Sequence, residues 1–272
     1  MGRPRYRPLR WRLESPFRVN SRAYTERMAT VASTLFRLDR GYVAVEGPEA
    51  AEFLERMLSN EVASLEAGEA RQALLLTPKG RIVAPLRAVR ESADRFLLIT
   101  EAELADVVAA ALTRARFAAK CEIEVKSYRG YLQLGSGQGI GNDDYGVEAY
   151  ESWGEDNRSA AAASELEPMR IEAGTPVWGK ELDDSVLPAE AGLDETHISF
   201  TKGCYPGQEP VARLHHRGHP NRGLRVLDID AKPGDELVYE GKVVGRVTSA
   251  VPGKALAYVR REVPEEARFR SG

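Results

Sequence analysis

The chain is short of several things that would announce a function. Only two of its 272 residues are cysteine, Cys121 and Cys204, and they stand far apart. That excludes a disulfide framework and gives a reducing, cytoplasmic location as the expectation. No apolar run approaches the roughly 20 residues of a membrane-spanning helix. The first residues lack the apolar stretch of a secretory leader. A net charge of −3 gives no overall pull toward nucleic acid or an anionic membrane. No phosphate-cradling glycine loop is present. GSGQGIG at 135–141 has the glycines of a dinucleotide loop, but no helical pattern follows it, so it reads as a hairpin loop. No internal repeat of solenoid period is visible, and nothing demands an oligomer, so a monomer is expected.

What is present is a foldable chain with 43% hydrophobic residues, enough for a real core. Residues 1–20, within an extension expected over 1–30, carry Arg3, Arg5, Arg7, Arg10, Arg12 and Arg18 without helical or strand period. They read as a solvated extension, with an RNA- or phosphate-binding arm as the sharper alternative and Met28 as an alternative start. A first unit is expected over 31–126. GYVAVEG alternates like a strand, and Phe53, Leu54, Met57 and Leu58 share a helical face after Pro48. Three strands follow, hinged at Pro78-Lys79-Gly80 and at Glu91–Asp94. A helix with Leu104, Val107, Val108, Ala111 and Leu112 inward comes next, then the strand CEIEVK. Hairpins mixed with helices mean α+β, not a parallel doubly wound sheet.

A second unit is expected over 127–220. It has strands at YRGYLQLG and DYGVEAY, a loop at SWGEDNRSAAA, and a helix SELEPMRIEAG closed by Gly174. TPVWGKELDDSVLPAEAGL has no period, and so long an irregular stretch in a compact protein is usually functional or lies across a domain interface. Residues 221–272 show short strands with Pro-Gly and Gly-Lys turns, the pattern of a small β-barrel.

The chemistry concentrates in TKGCYPGQEPVARLHHRGH, Thr201 to His219, which holds one of the two cysteines and three of the four histidines. Lys202 beside Cys204 would favour a thiolate, and a helix over QEPVARLHH would add its dipole. The plain alternative is a small buried hydrophobe. His215 and His216 diverge by about 100° on a helix. Cys204, His215 and His219 match no standard zinc spacing, so no metal site is assigned. Glu172 could accept two parallel hydrogen bonds from a heterocycle with adjacent N–H donors. Alternatively it is an ordinary helix glutamate or a partner for Arg170.

TKGCYPGQE closely resembles the K-G-C-Y-x-G-Q-E motif of the YgfZ family, and HHRG after it fits the same family. That family sits in the folate-binding superfamily of the glycine-cleavage aminomethyltransferase (T-protein) and includes a mitochondrial factor of late iron–sulfur cluster synthesis. RIEAGTPVWGKELDDSVLPAEAGL, GYVAVEGPEAAEFLERMLSNEV, LLLTPKGRI and VVGRVTSA with ALAYVRR resemble superfamily segments, from about Ala32 to Val263. The resemblance implies two α+β subdomains and a C-terminal barrel around a central tetrahydrofolate cavity. It implies Glu172 on the pterin, Asn60 near the cavity, and Arg213 near the glutamyl carboxylates, with Arg217 beside it. It makes Cys204 and Lys202 the reactive pair, within a motif completed by Gly203, Tyr205, Gly207, Gln208 and Glu209.

One departure matters. Where the aminomethyltransferase branch carries an Asp-Asp pair with a key catalytic acid, this strand reads GRIVAPL, with Ala84 and Pro85. Neither can hold or relay a proton, and Pro85, lacking an N–H, suits an edge or bulge. The implied function is support of iron–sulfur cluster assembly or repair, with an indirect effect on tRNA-modifying radical enzymes. Its implied partners are assembly proteins or cluster-dependent clients. The alternative is a tetrahydrofolate-dependent aminomethyl or methyl transferase.

Overall fold

A computed structural model describes residues 34–271; the arginine-rich extension over residues 1–30 lies outside the described residues. Strands β1 (Leu35–Leu38), β2 (Arg40–Glu46), β3 (Ala70–Leu76), β4 (Ile82–Ser92), β5 (Arg95–Glu101) and β6 (Glu122–Lys126) open the chain, with helices α1 (Ala50–Met57) and α2 (Ala105–Ala115) between them. Five of these strands form an antiparallel sheet in the order β3-β4-β5-β2-β6. The alternation expected for GYVAVEG is what builds it. Val43 and Val45 turn to one face and meet Phe53 and Leu54 of α1 and Val108 and Leu112 of α2, all fully or almost fully buried. Val107, expected inward, is exposed. The buried stripe of α2 runs Ala105, Val108, Leu112, and position 107 falls just outside that arc.

The first strand leaves this unit. β1 pairs with β7 (Arg129–Leu134) and, in parallel, with β10 (Ala161–Ala162). With β8 (Ile140–Gly141) and β9 (Ala149–Gly154) they form a second sheet, β10-β1-β7-β9-β8. The strand expected at DYGVEAY starts later, at Ala149, because Asp143 to Gly146 turn first. Helix α3 (Glu167–Ala173) ends at Gly174 in the left-handed region, φ 75°, as the glycine led one to expect. Phe36, Leu38, Leu132, Leu134 and Leu166 make a core of their own there. Tyr42, Ala44, Val89, Leu97 and Ile99, from the uncovered face of the first sheet, pack with Ile140 of the second.

Residues 175–207 are irregular, apart from a 3-10 turn at Pro188–Glu190. They are not loose. Leu182, Val186, Leu193, Ile198 and Tyr205 bury themselves against Leu74, Leu76 and Ile82 of the hairpin. Helix α4 (Gln208–Arg217) follows, then β11 (Arg222–Leu227), β12 (Glu236–Tyr239), β13 (Lys242–Val251), β14 (Lys254–Arg260) and β15 (Arg270–Ser271). The expected C-terminal barrel is corrected here. The third sheet runs β11-β14-β13-β12-β15 and is not closed. Closure would require β11 to pair with β15. Instead the 3-10 turn packs along β11 through Glu190 and Arg222, 3.2 Å apart. The observed class is mixed α+β with three sheets.

Candidate functional site

The motif loop is a platform whose buried members serve to fix it. Lys202 sends its ammonium inward, with the side chain only 1% exposed. It donates to the carbonyls of Glu55, Leu58 and Asn60 at 2.7, 2.8 and 2.7 Å. These oxygens crowd the end of α1, where helix carbonyls lack intrahelical partners and the dipole favours a cation. Glu55 adds its carboxylate at 3.2 Å and accepts the N–H groups of Val62 and Ala63 at 2.7 and 2.9 Å. Burial pushes the Lys202 ammonium down, and Glu55 opposes this. Burial works to raise the Glu55 carboxyl, but the two N–H groups and Lys202 hold it below the usual range. All three Lys202 donors are therefore spent on carbonyls, and none remains for the Cys204 thiol.

Tyr205 is buried in the hairpin core, and burial pushes its phenol up to about 12. Gly207 has φ 83°, and a Cβ there would stand 2.5 Å from the Thr77 carbonyl. Only glycine lets this backbone rest on the tip of the β3–β4 hairpin. Gln208 and Glu209 begin α4, with Gln208 Nε2 3.5 Å from the Lys202 carbonyl oxygen and Glu209 exposed. Gly203 has open space around it, and Cys204 is exposed. The buried-hydrophobe reading of Cys204 is thereby excluded. What the loop presents to solvent is a thiol on a braced backbone.

The centre of the molecule holds charges that sequence reasoning missed. Arg87 on β4 lies 3.3 Å from Glu151 and 3.1 Å from Asp144, and it also reaches Asp143 at 3.2 Å. Arg40 on β2 is 3.0 Å from Asp144 and 3.3 Å from Glu151. Asn142 donates to Glu151 at 2.8 Å. Burial alone would raise the Asp144 carboxyl, but Arg87 and Arg40 hold it below the usual range. Close by, burial pushes the His197 imidazole down to about 4, and it pushes the Glu101 carboxyl up against the pull of Arg40. The available signal was Arg87 itself, a charge interrupting the apolar run IVAPLRAV. Ala84 turns into the helix-covered core, while Pro85 shares a face with Arg87. The β4–β5 ladder begins at Arg87, so Pro85 has a strand partner on one side only, Leu74 of β3. Its carbonyl accepts from Thr100 Oγ1 at 2.8 Å.

The remaining candidates lie in separate places. Asn60 donates to the carbonyls of Gln72 and Thr196 and accepts from the Glu61 N–H, so its amide is committed to the wall it stands in. Gln72 and Thr196 also line a groove of about 460 Å³ with Arg71, Arg87, Asn142 and Asp143. Glu172 is exposed on α3, with Lys254 as its nearest cation at 4.0 Å. It does not pair with Arg170, which is buried between Glu167 and Glu181. Arg213 lines a different cavity, along α4.

Comparison with known proteins places this geometry. Residues 34–134 match the family described as the GCVT N-terminal domain. An uncharacterized protein of Haemophilus influenzae is 24% identical over 84% of this chain and 89% of its own length. An aminomethyltransferase of Saccharopolyspora erythraea is 25% identical over 94% of this chain and 86% of its own. The crystal structure of the glycine cleavage system aminomethyltransferase T from Bartonella henselae superposes with a TM-score of 0.73 at 21% identity, covering 86% of this chain and 81% of that one. The chain has the fold of that aminomethyltransferase, and these likenesses support a place in the T-protein superfamily.

Proposed function

We propose that this protein binds tetrahydrofolate and supports iron–sulfur cluster assembly or repair in a cytoplasmic setting, through the thiol of Cys204. The observation that carries the reading is the braced loop that leaves Cys204 exposed while its motif neighbours are buried or turned to scaffold work. Lys202 takes the role of a positioning residue. The aminomethyltransferase-like fold supports folate binding. Glu172 is exposed, with Lys254 at 4.0 Å, and its carboxylate can accept two N–H donors, as recognition of a pterin edge requires. The groove beside Asn60 and Gln72 is a separate polar recess, which Glu172 does not line. Bound tetrahydrofolate supplies a reduced pterin and a one-carbon carrier. Pro85 and Ala84 leave no acid at the strand position where the transferase branch has one.

A cluster commonly takes four thiolate ligands. Cys204 alone therefore handles a cluster only with ligands from a partner protein or a small thiol, and the cluster is cargo. The partners under this reading are assembly proteins or cluster-dependent clients, including radical enzymes that modify tRNA. Deletion of the gene should lower cluster-dependent activities and tRNA thiomethylation. The parent gene should restore both and Cys204→Ala should not. In calorimetry, Glu172→Ala should lose tetrahydrofolate affinity, and equal affinity removes the pterin assignment. Robust methylene-tetrahydrofolate formation from an aminomethyl donor would replace this reading with the transferase one.

A further inference from the structure

The cavity along α4 has a composition unlike that of the polar groove, and the two share no lining residue. It measures about 340 Å³, within the range of small-molecule sites, about 300–1,000 Å³. It opens where α4 crosses the hairpin tip at Gly80 and the segment that follows Val186. Leu187, Pro188, Pro210, Val211 and Leu214 give it an apolar floor. Arg213 and Arg217 also line it, four residues apart and therefore on one face of the helix. Neither guanidinium has a hydrogen bond or ion pair with another described residue. Asp194 is the carboxylate in the lining, and it faces His215 Nδ1 at 3.7 Å. Its neighbour Glu195, the exposed Glu209 at the start of α4, and Glu190, which follows Ala189 of the lining and is paired with Arg222 at 3.2 Å, are the other acids close in sequence to these walls.

We propose that this cavity binds a small amphiphilic monoanion, an apolar chain or ring ending in one carboxylate. The apolar floor rewards removal of the ligand's hydrocarbon from water. The two guanidinium groups, unpaired among the described residues, offer forked donors to a carboxylate. A cationic amphiphile of the same size meets repulsion from both arginines, and a neutral one leaves them unused. A small inorganic anion leaves the floor uncovered. The occupant would touch the hairpin tip and α4 together, where Gly207, which opens α4, rests on that tip. It would therefore sit against the support of the motif loop. The resemblance put Arg213 and Arg217 at the glutamyl end of a folate; here they serve a cavity that shares no lining residue with the groove beside Asn60, and a ligand of another class.

Calorimetric titration with octanoate, octanol, octylammonium and acetate tests it on the full chain. Octanoate should bind at one saturable site, octanol roughly ten- to a hundredfold more weakly, and octylammonium and acetate not measurably. Arg213→Gln with Arg217→Gln changes two exposed side chains and should leave thermal unfolding unchanged. It should bring octanoate down to the affinity of octanol. The proposal fails if octanoate does not bind, if octanol binds as well as octanoate, or if the double variant keeps the parent's octanoate affinity. It also fails if saturating tetrahydrofolate displaces octanoate, since the cavity would then be part of a folate site. Loss of folate binding in Glu172→Ala with octanoate binding intact would separate the two sites.

Discussion

Arg87 and Lys202 are both cations largely removed from water, yet they are compensated in different ways. Arg87 faces full carboxylates contributed by another sheet, and Arg40 shares two of them. Lys202 faces chiefly carbonyl dipoles at the end of α1, with the Glu55 carboxylate at 3.2 Å and Glu61 farther off as counter-charges. The first arrangement joins two sheets across the middle of the molecule. The second anchors a loop at the periphery. Removing a cation from carboxylates leaves bare buried charge, whereas removing it from carbonyls leaves dipoles that shift and rehydrate more cheaply.

The sharpest way to break that contrast is Arg87→Met. Glu151 is 1% exposed in its side chain and would keep only Arg40 as a counter-charge. The expected loss is about 3–5 kcal/mol, the usual cost of stripping one partner from a buried pair, measured by urea unfolding at neutral pH. A loss under about 1 kcal/mol would mean that water already reaches the cluster. Arg87→Lys should recover only part of the stability, because one ammonium cannot replace the fork that meets both Glu151 and Asp144.

The same centre should show itself in the pH dependence of stability. His197 has its imidazole pushed down from 6.5 to about 4. The unfolded chain therefore takes up the proton before the folded one does. Stability should fall as pH drops from about 6.5 toward 4, by about 3 kcal/mol over the whole window. His197→Gln should flatten the profile between pH 6.5 and 5, above the range where most carboxylates titrate. An unchanged slope there would show that the ring is solvated in the folded state.

These two groups also mark where the sequence stops being legible. Alternation in GYVAVEG, the Pro78-Lys79-Gly80 hinge, the Gly174 stop and the helix after Gly207 were readable, because each is a local rule of backbone and burial. The membership of β1 was not. Its partners lie near residues 130 and 161, and which sheet it joins is decided by side-chain packing over a long loop. The open third sheet had the same cause, since Glu190 is distant in sequence from the strand beside which it packs. Within the candidate site, TKGCYPGQE identified the loop, but the direction of Lys202 was hidden. Its receptor is built from backbone carbonyls, which every residue carries and no sequence pattern marks. The excess of charge around Arg87 was visible only as separate polar letters on four strands and a turn.

On the loop side of the contrast, Lys202→Met should cost about 2–3 kcal/mol, less than Arg87→Met, because the carbonyls it abandons can accept water. Its more telling readout is chemical. With the anchor gone, the backbone around Cys204 should sample more conformations, and limited proteolysis should cut between Thr201 and Gly207 faster than in the parent. Lys202→Arg keeps the charge but not the compact shape that three converging carbonyls require, so it should rescue only in part.

The smallest effect on stability belongs to the residue given the largest functional role. Cys204 is exposed and not in a disulfide, so Cys204→Ala should lie within about 0.5 kcal/mol of the parent. Cys121, buried near the end of α2, gives the internal control. Under native conditions an alkylating reagent should modify Cys204 quickly and Cys121 only on unfolding. If Cys204→Ala destabilised the chain as much as Lys202→Met does, the thiol would be part of the scaffold, and the platform reading would fail. If stability is unchanged while complementation is lost, the loop's structural and functional duties reside in different side chains. Lys202, Tyr205 and Gly207 would then hold the loop so that the thiol need not hold anything.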